Sequence, residues 1–463
     1  MRSLNELQDV LIIGGGPAGS TAATYLAKYG HRVTVLEKEK FPREHVGESL
    51  LPFCYDLLKE VGVLDEMKKR FTRKAAVRFL TPDASLSTNW CFNHVIKDES
   101  FLSFHVVRSE FDQLLLDNAR LHGATVQEET RVCGVEFDDE AERVQVSAIG
   151  LNGQKQLYYG RFLIDASGRN GFMATRNRWR KSHAGFERTA LWTHWEDVKT
   201  LKGGLEDGSS LIIYLGGDKR GWSWVFPLGL NQVTVGVVMD SIYLREQKSQ
   251  LQASGVDDWR EELYLRELRE SEFIHDLLDG AKMSMPLIVE GDYSYYSEQK
   301  YGQRFALIGD ASRFIDPIFS SGVYLSMKSS SLLANALHEM FTSNDKKDNT
   351  PIVNTYERIT IAYDLVYRLI RLFYNPHAIS FAQAGLAFKN HKEHEDAMAA
   401  GHYILAGDFF ENQEKYEVFL DTLADPRKFD GYRNLVLNRR KFQTDSCDIE
   451  RTIIFPELRQ RLR

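Results

Sequence analysis

The chain has little cysteine, no long apolar run and no surplus of positive charge, and each absence removes a class of function. Its four cysteines, Cys54, Cys91, Cys133 and Cys447, are scattered and form no C-x-x-C pair. Neither a zinc site nor a dithiol motif is written in them, and no metal is expected. So few thiols fit a reducing compartment, and a cytoplasmic protein is expected. No stretch approaches the roughly 20 apolar residues that cross a bilayer, so no stable membrane insertion is expected. Lys and Arg total 58 against 65 Asp and Glu, a net charge of −7. A nucleic-acid partner, which needs a basic face, is not expected. The opening MRSLNELQDVLIIGGG has one basic residue and a short apolar run ending in glycines. It reads as a strand, not a signal peptide.

What is present is enough chain for two or three packed units, since 463 residues exceed one ordinary core. Asp9 to Ile13 is a short buried strand, Gly14 to Gly19 a turn, Pro17 to Tyr29 a helix and His31 to Glu37 a second strand. Ala124–Val126, Phe162–Asp165 and Arg304–Asp310 look like returns to the same sheet, the last followed by a helix from about Gly322. Residues 185–284 alternate apolar and polar and read as an inserted antiparallel sheet. From about 330 the pattern is helical, with an apolar and aromatic face over 355–374, and Asn344 to Thr350 reads as a surface loop. The fold class expected is α/β: a Rossmann-like three-layer nucleotide-binding domain, an inserted antiparallel sheet and a helical C-terminal region. The boundaries expected are 1–184 for the first part of the nucleotide domain (with part of the substrate sheet near 75–107), 185–284 for the insert, 285–340 for the closing part and 341–463 for the helical region.

Gly14-x-Gly16-x-x-Gly19 follows a strand and opens a helix. Its first glycine permits the tight turn, the second lets a pyrophosphate approach the backbone, and the third lets helix and strand pack closely. The phosphate charge then sits on free N–H groups at the helix N-terminus, with Ala18 in its first turn. Glu37 ends the second strand, where a carboxylate can take a ribose diol, and Lys38 follows it.

This turn alone does not separate NAD from FAD. Leu163-Ile-Asp-Ala-Ser-Gly168 and Ala306-Leu-Ile-Gly-Asp310-Ala, with Asp316-Pro317 beyond, resemble the further fingerprints of the FAD-dependent aromatic hydroxylase superfamily. The resemblance spans roughly residues 8–335. It implies FAD as cofactor, Asp310 near the ribityl and pyrophosphate, Arg108 of Val-Val-Arg108-Ser-Glu-Phe-Asp on the cofactor, and a helix N-terminus that includes Val323 aimed at the isoalloxazine. A positive helix end stabilises charge on reduced flavin.

Within that superfamily, four segments resemble the flavin-dependent halogenases. Gly221-Trp222-Ser-Trp224-Val-Phe226-Pro227 is similar to their W-x-W-x-I-P signature, with Phe226 for Ile. The resemblance implies that both tryptophans stand between flavin and substrate; two aromatics on one face of a core strand are the plain alternative. Lys74 in Phe71-Thr-Arg-Lys74-Ala is similar to the segment holding the family's catalytic lysine. Buried, such an amine has its pKa pushed down and can present electrophilic halogen to an arene; exposed, it is one charge in a basic run. Ser320-Ser321-Gly322 resembles the halide step, implying Ser321 and Gly322 as the halide site, although either serine could simply cap a helix. Phe41-Pro-Arg43-Glu-His-Val-Gly47-Glu48-Ser49-Leu-Leu-Pro52 resembles the family's loop after the second strand, which implies Arg43 on the cofactor.

Members acting on free tryptophan carry a glutamate where this chain has Phe319. Its absence, with the aromatic segment ending at Phe373, Tyr374 and Pro376, suits the branch acting on phenols or pyrroles, free or tethered to a peptide or carrier. The resemblance implies a chlorinating or brominating enzyme of natural-product biosynthesis. Reduced flavin would come from a separate flavin reductase, since no second glycine-rich unit for NAD(P)H is seen. Halide would become hypohalous acid through a flavin hydroperoxide. His45, His94 and His105 are candidates for the final base by residue type only, and Arg427, Lys428, Arg433, Arg439, Arg440 and Lys441 could face a carrier. A hydroxylase using the flavin directly, and a flavin reductase of isoprenoid double bonds, are the alternatives.

Overall fold

A computed structural model describes residues 6–291, 294–343, 348–388, 394–411, 413–425, 427 and 447–461. Along the chain come β1 (Gln8–Ile13), α1 (Pro17–Lys28), β2 (Val33–Leu36), β3 (Thr72–Lys74), β4 (Ala76–Leu80), β5 (Ser87–Cys91), β6 (Ser103–His105) and α2 (Arg108–Leu121). Next are β7 (Thr125–Gln127), β8 (Arg131–Asp138), β9 (Arg143–Ile149), β10 (Lys155–Asp165), β11 (Arg188–Glu196), β12 (Ser209–Tyr214), β13 (Trp222–Pro227) and β14 (Val233–Asp240). Then follow α3 (Ser241–Ala253), α4 (Trp259–Arg269), α5 (Glu272–Leu277), β15 (Phe305–Leu307), α6 (Ser321–Thr342) and α7 (Thr350–Phe373).

The first sheet runs β15-β10-β1-β2-β7, each neighbour parallel. Its central strands are apolar without alternation because both faces are covered, α1 and α6 packing on each other over one of them. β8 and β9 extend β10 as an antiparallel arm.

The second sheet runs β5-β4-β12-β13-β14-β11. It is antiparallel except where β12 pairs with β4, so the substrate sheet is built from two separate stretches of chain. Alternation in these strands sorts side chains to two faces. Val77, Phe79, Trp192, Ile212, Trp222 and Trp224 face the main core shared with the first sheet, α6 and α7. Leu211, Ile213, Val225, Val235 and Val237 face a second core under α4, α5 and the C-terminal residues Ile454 and Phe455.

Two departures from the sequence reading stand out. Residues 241–277 form three helices rather than more strand. They are needed to cover the far face of the second sheet, which would otherwise lie bare. Cys91 and Cys447 are joined by a disulfide across 356 positions, which a reading of the scattered cysteines as suited to a reducing compartment does not anticipate; Cys54 and Cys133 are free. Of the anticipated loop after Ser343, residues 344–347 lie outside the described residues. Among the described residues no helix is long and apolar enough to cross a membrane.

Candidate active site

A cavity of about 970 Å³ lies over the carboxyl ends of β1, β2, β10 and β15, where doubly wound sheets receive ligands. Gly14 makes its floor possible: φ is +97°, and a Cβ there would fall 2.4 Å from Ala166 O. Gly16 is the N-cap of α1, and no side chain caps the helix. Its first N–H groups are therefore available to an anion. Glu37, at the end of β2, accepts from Gly15 N at 2.6 Å and Glu39 N at 2.8 Å.

Opposite, α2 supplies Arg108, held by Asp112 through paired bonds of 2.8 and 2.9 Å. Arg43 reaches the same buried carboxylate at 3.0 Å, and its guanidinium is the group nearest Gly16. Burial alone would raise the Asp112 carboxyl; the two guanidinium charges outweigh it and hold the group below the ordinary carboxylate range. Asp310 also lines the cavity and is pushed up to about 6 by burial, against the pull of Arg169 and Arg108. Lys38, Ala18 and Val323 line the cavity; Gly19 lies beneath the turn and does not.

At the far end the chain turns through Ser320, whose φ of +55° directs it into α6. Ser320 and Gly322 line the cavity, and the space above Gly322 is open. Ser321 Oγ is buried without a hydrogen-bond partner. A glycine turn at an uncapped helix, two fixed guanidinium groups and an orphaned hydroxyl at a second helix start fit a dinucleotide with an anion beside it.

The second sheet closes this cavity with Trp222, Trp224 and Phe226, on one face of β13. The two indoles stand 5.5 Å apart at 42°. The Trp224 Nε1–H donates to Thr234 Oγ1 at 3.3 Å.

Lys74 ends β3 and is 1% exposed. Its Nζ donates to Ser49 Oγ at 2.9 Å and to Leu50 O at 3.2 Å, and Ser49 Oγ is 3.1 Å from Ser210 Oγ. No carboxylate pairs with it in this set of contacts. Burial pushes the amine down to about 7. Ser49 and Glu48 line the cavity whereas Lys74 stops short of its wall, so one serine separates amine from cavity.

Residues 8–359 match the FAD binding domain family. The flavin-dependent halogenase armH1 of Armillaria mellea is 33% identical over 387 residues, covering 78% of this chain and 72% of its own. The chain belongs to the flavin-dependent halogenases. The 1H-pyrrole-2-carbonyl peptidyl-carrier-protein chlorinase of Pseudomonas fluorescens is 32% identical over 386 residues, covering 77% of this halogenase and 84% of its own chain. The structure of the myxobacterial chondrochloren halogenase CndH superposes with a TM-score of 0.71 at 28% identity, covering 92% of this chain and 95% of that one.

The three candidate histidines of this halogenase fall in different places. His45 lines the cavity, with Nδ1 at 2.8 Å from Val46 O, and burial pushes it down to about 3. His105, opposite Thr72 in the β3–β6 pair, is the one near the lysine. Burial and then the Lys74 charge hold it well below its ordinary value. His94 sits against His402 instead. Of the anticipated basic surface, Arg427 pairs with Asp425 at 2.8 Å, and Lys428, Arg433, Arg439, Arg440 and Lys441 lie outside the described residues.

Several residues of the site were given no role from the sequence. Asp112 orients both arginines. Glu48 accepts from His194 Nε2 at 2.5 Å, both groups buried, and that bond raises the histidine against the effect of burial. Tyr374 contacts Trp222. Glu48 carried a signal as a member of the quoted loop motif, Asp112 as the last residue of the Arg108 motif and Tyr374 as part of the aromatic segment, but none of them with a role.

Proposed function

We propose that this halogenase chlorinates an electron-rich aromatic, a phenol or pyrrole, free or carrier-tethered. FAD would be held by Gly14, Gly16 and Ala18 at the pyrophosphate, with Gly19 letting the helix pack beneath that turn, and by Glu37 and Lys38 at the ribose. Arg43, Arg108, Asp310 and Val323 would hold the rest of it. When bound and reduced, with electrons from a separate flavin reductase, it supplies the reaction of oxygen with halide. Ser321 and Gly322 hold chloride or bromide at the start of α6, where free N–H groups favour an anion. Trp222 and Trp224 keep the arene from the flavin while leaving a path for hypohalous acid.

The observation that carries this reading is the Lys74 amine: dry, without a carboxylate partner among the described residues and with its pKa lowered to about 7. A substantial share of it is the free base near neutrality. Its lone pair can then take or orient electrophilic halogen, which protonated lysine cannot. Phe319 supports an electron-rich substrate, since it is buried among Phe79, Phe373 and Phe381 and offers no carboxylate to a cationic arene. The similarity to a chlorinase of a carrier-bound pyrrole points the same way. A cytoplasmic setting belongs to the proposal too, and the Cys91–Cys447 bond is the observation that weighs against it.

The test is product mass spectrometry on a panel of phenols, pyrroles and indoles with reductase, oxygen and either halide, using wild type and Lys74→Ala. Halogenated product from wild type, and none from a variant that still binds FAD, supports the assignment. Normal halogenation by Lys74→Ala removes the lysine from the mechanism.

A further inference from the structure

Tyr374, at the end of α7, joins two parts of the site that the chain keeps far apart. The Trp222 Nε1–H donates to Tyr374 Oη at 3.1 Å, and that hydroxyl donates to Asp316 Oδ2 at 2.7 Å. Asp316 Oδ1 accepts from Ile318 N at 3.0 Å, and Asp316 N donates to Ser294 Oγ at 3.1 Å. The carboxylate is thereby fixed within the turn that leads to Ser320 and Gly322. The Tyr374 ring is itself held: the Arg188 guanidinium stands 4.6 Å from its centroid and pairs with Asp240 at 3.1 Å, and Phe186 meets it edge-on at 6.0 Å. Trp222 is 2% exposed and Asp316 fully buried, so both ends of the chain of hydrogen bonds are shielded from bulk water. A phenol has one proton to give and lone pairs to receive, and Tyr374 uses both here.

We propose that Tyr374 is a positioning residue that locks the first wall indole to the turn carrying the halide step. In this way the end of helix α7 sets the barrier between the flavin cavity and the Lys74 region. The inference rests on the reading of Trp222 and Trp224 as that barrier. Without the hydroxyl, the ring still fills its place beside Arg188 and Phe186. The indole N–H and one carboxylate oxygen, however, lose the hydroxyl that bridges them, leaving only the lesser direct pull of the indole N–H on the carboxylate. Trp222 is then free to change rotamer, and its close pairing with Trp224 relaxes.

The test compares wild type, Tyr374→Phe, Trp222→Phe and the double variant. The first measurement is the far-ultraviolet exciton couplet of the tryptophan pair, by circular dichroism on flavin-free protein. The second is halogenated product formed per reduced flavin consumed. Tyr374→Phe is expected to weaken the couplet and to lower the product ratio about two- to tenfold, the worth of one hydrogen bond, with FAD affinity unchanged. In the Trp222→Phe background it should add nothing to either loss. An unchanged couplet, or losses that simply add, overturns the proposal. Lys74→Ala run alongside keeps the two readings apart. If that variant still halogenates, the proposed function falls on its own account, while the circular dichroism still decides Tyr374.

Discussion

Gly236 lies directly across β13 and β14 from Trp224, and a Cβ at 236 would fall 2.2 Å from the Trp224 ring. The indole lies flat on the neighbouring strand only because that strand presents a hydrogen there. Gly236→Ala is therefore expected to expel the ring from its place on β14 and break its bond to Thr234. The overpacking should cost about 1–3 kcal/mol. Thermal unfolding and tryptophan fluorescence check this, and on the proposed role of the two indoles as a barrier the product formed per reduced flavin should fall. An unmoved emission spectrum at full stability would contradict it.

The lowered pKa of Lys74 has a stability consequence of definite sign. Unfolded, the amine has its ordinary value of 10.5; folded, about 7. Below about 7 both states carry the proton and the full burial cost is present. Between 7 and 10.5 the unfolded chain binds more protons, so this contribution rises with pH. Lys74→Met should then stabilise the protein by on the order of 1–2 kcal/mol at low pH, with the gain shrinking toward pH 10. Denaturant titrations at several pH values check it. Wild-type halogenation should climb as pH passes about 7, following the free amine, whereas consumption of reduced flavin should lack that limb.

How much of this was legible beforehand depended on how local each signal is. The nucleotide turn could be read because Gly14, Gly16 and Glu37 belong to one short β-turn-α-β unit whose spacing is fixed by backbone geometry. Lys74 was visible through resemblance, but its burial was not, since a lysine in a basic run looks solvent-exposed until β3 and β6 enclose it. The helices over 241–277 were missed because their apolar signal is faint: α3 buries only Leu244. Asp316 and Tyr374 are 58 positions apart, and Glu48 and His194 are 146 apart. No periodicity records such meetings, which are products of packing between sheets. The Cys91–Cys447 bond belongs to the same class.

Asp112 bears on cofactor binding through charges it does not itself present. It is fully buried and holds Arg108 and Arg43. Asp112→Ala leaves the buried Arg108 guanidinium without its ion-pair partner and Arg43 with only its longer pairing to Glu39 at 3.6 Å, which should cost about 3–5 kcal/mol. Asp112→Asn keeps the shape and loses the charge, so it should fold better yet still bind FAD more weakly, as Arg43 swings off Gly16. Flavin titration of the apo-protein and thermal melts separate the two effects. Unchanged FAD affinity in Asp112→Asn would show that the arginines need no anchoring.

The disulfide predicts a redox-dependent stability confined to one side of the molecule. Cys447 precedes Ile454 and Phe455, which are fully buried in the core beneath the second sheet, and a Cβ on Gly208 would meet Ile454 at 2.9 Å. Gly208 O in turn lies 3.2 Å from His105 Nε2, beside the strand that carries Lys74. Cys447→Ser removes a cross-link spanning 356 positions, and a loss of about 2–4 kcal/mol is expected. Melting of the oxidised wild type should fall to the level of the variant when a thiol reductant is added, and the variant should ignore the reductant. Because the segment braces the lysine strand, hydrogen exchange on loss of the bond should rise first in 447–461 and 72–74, leaving β1 and α1 protected. Uniform loosening, or a reductant effect that persists in Cys447→Ser, would mean that the cross-link does not hold this segment.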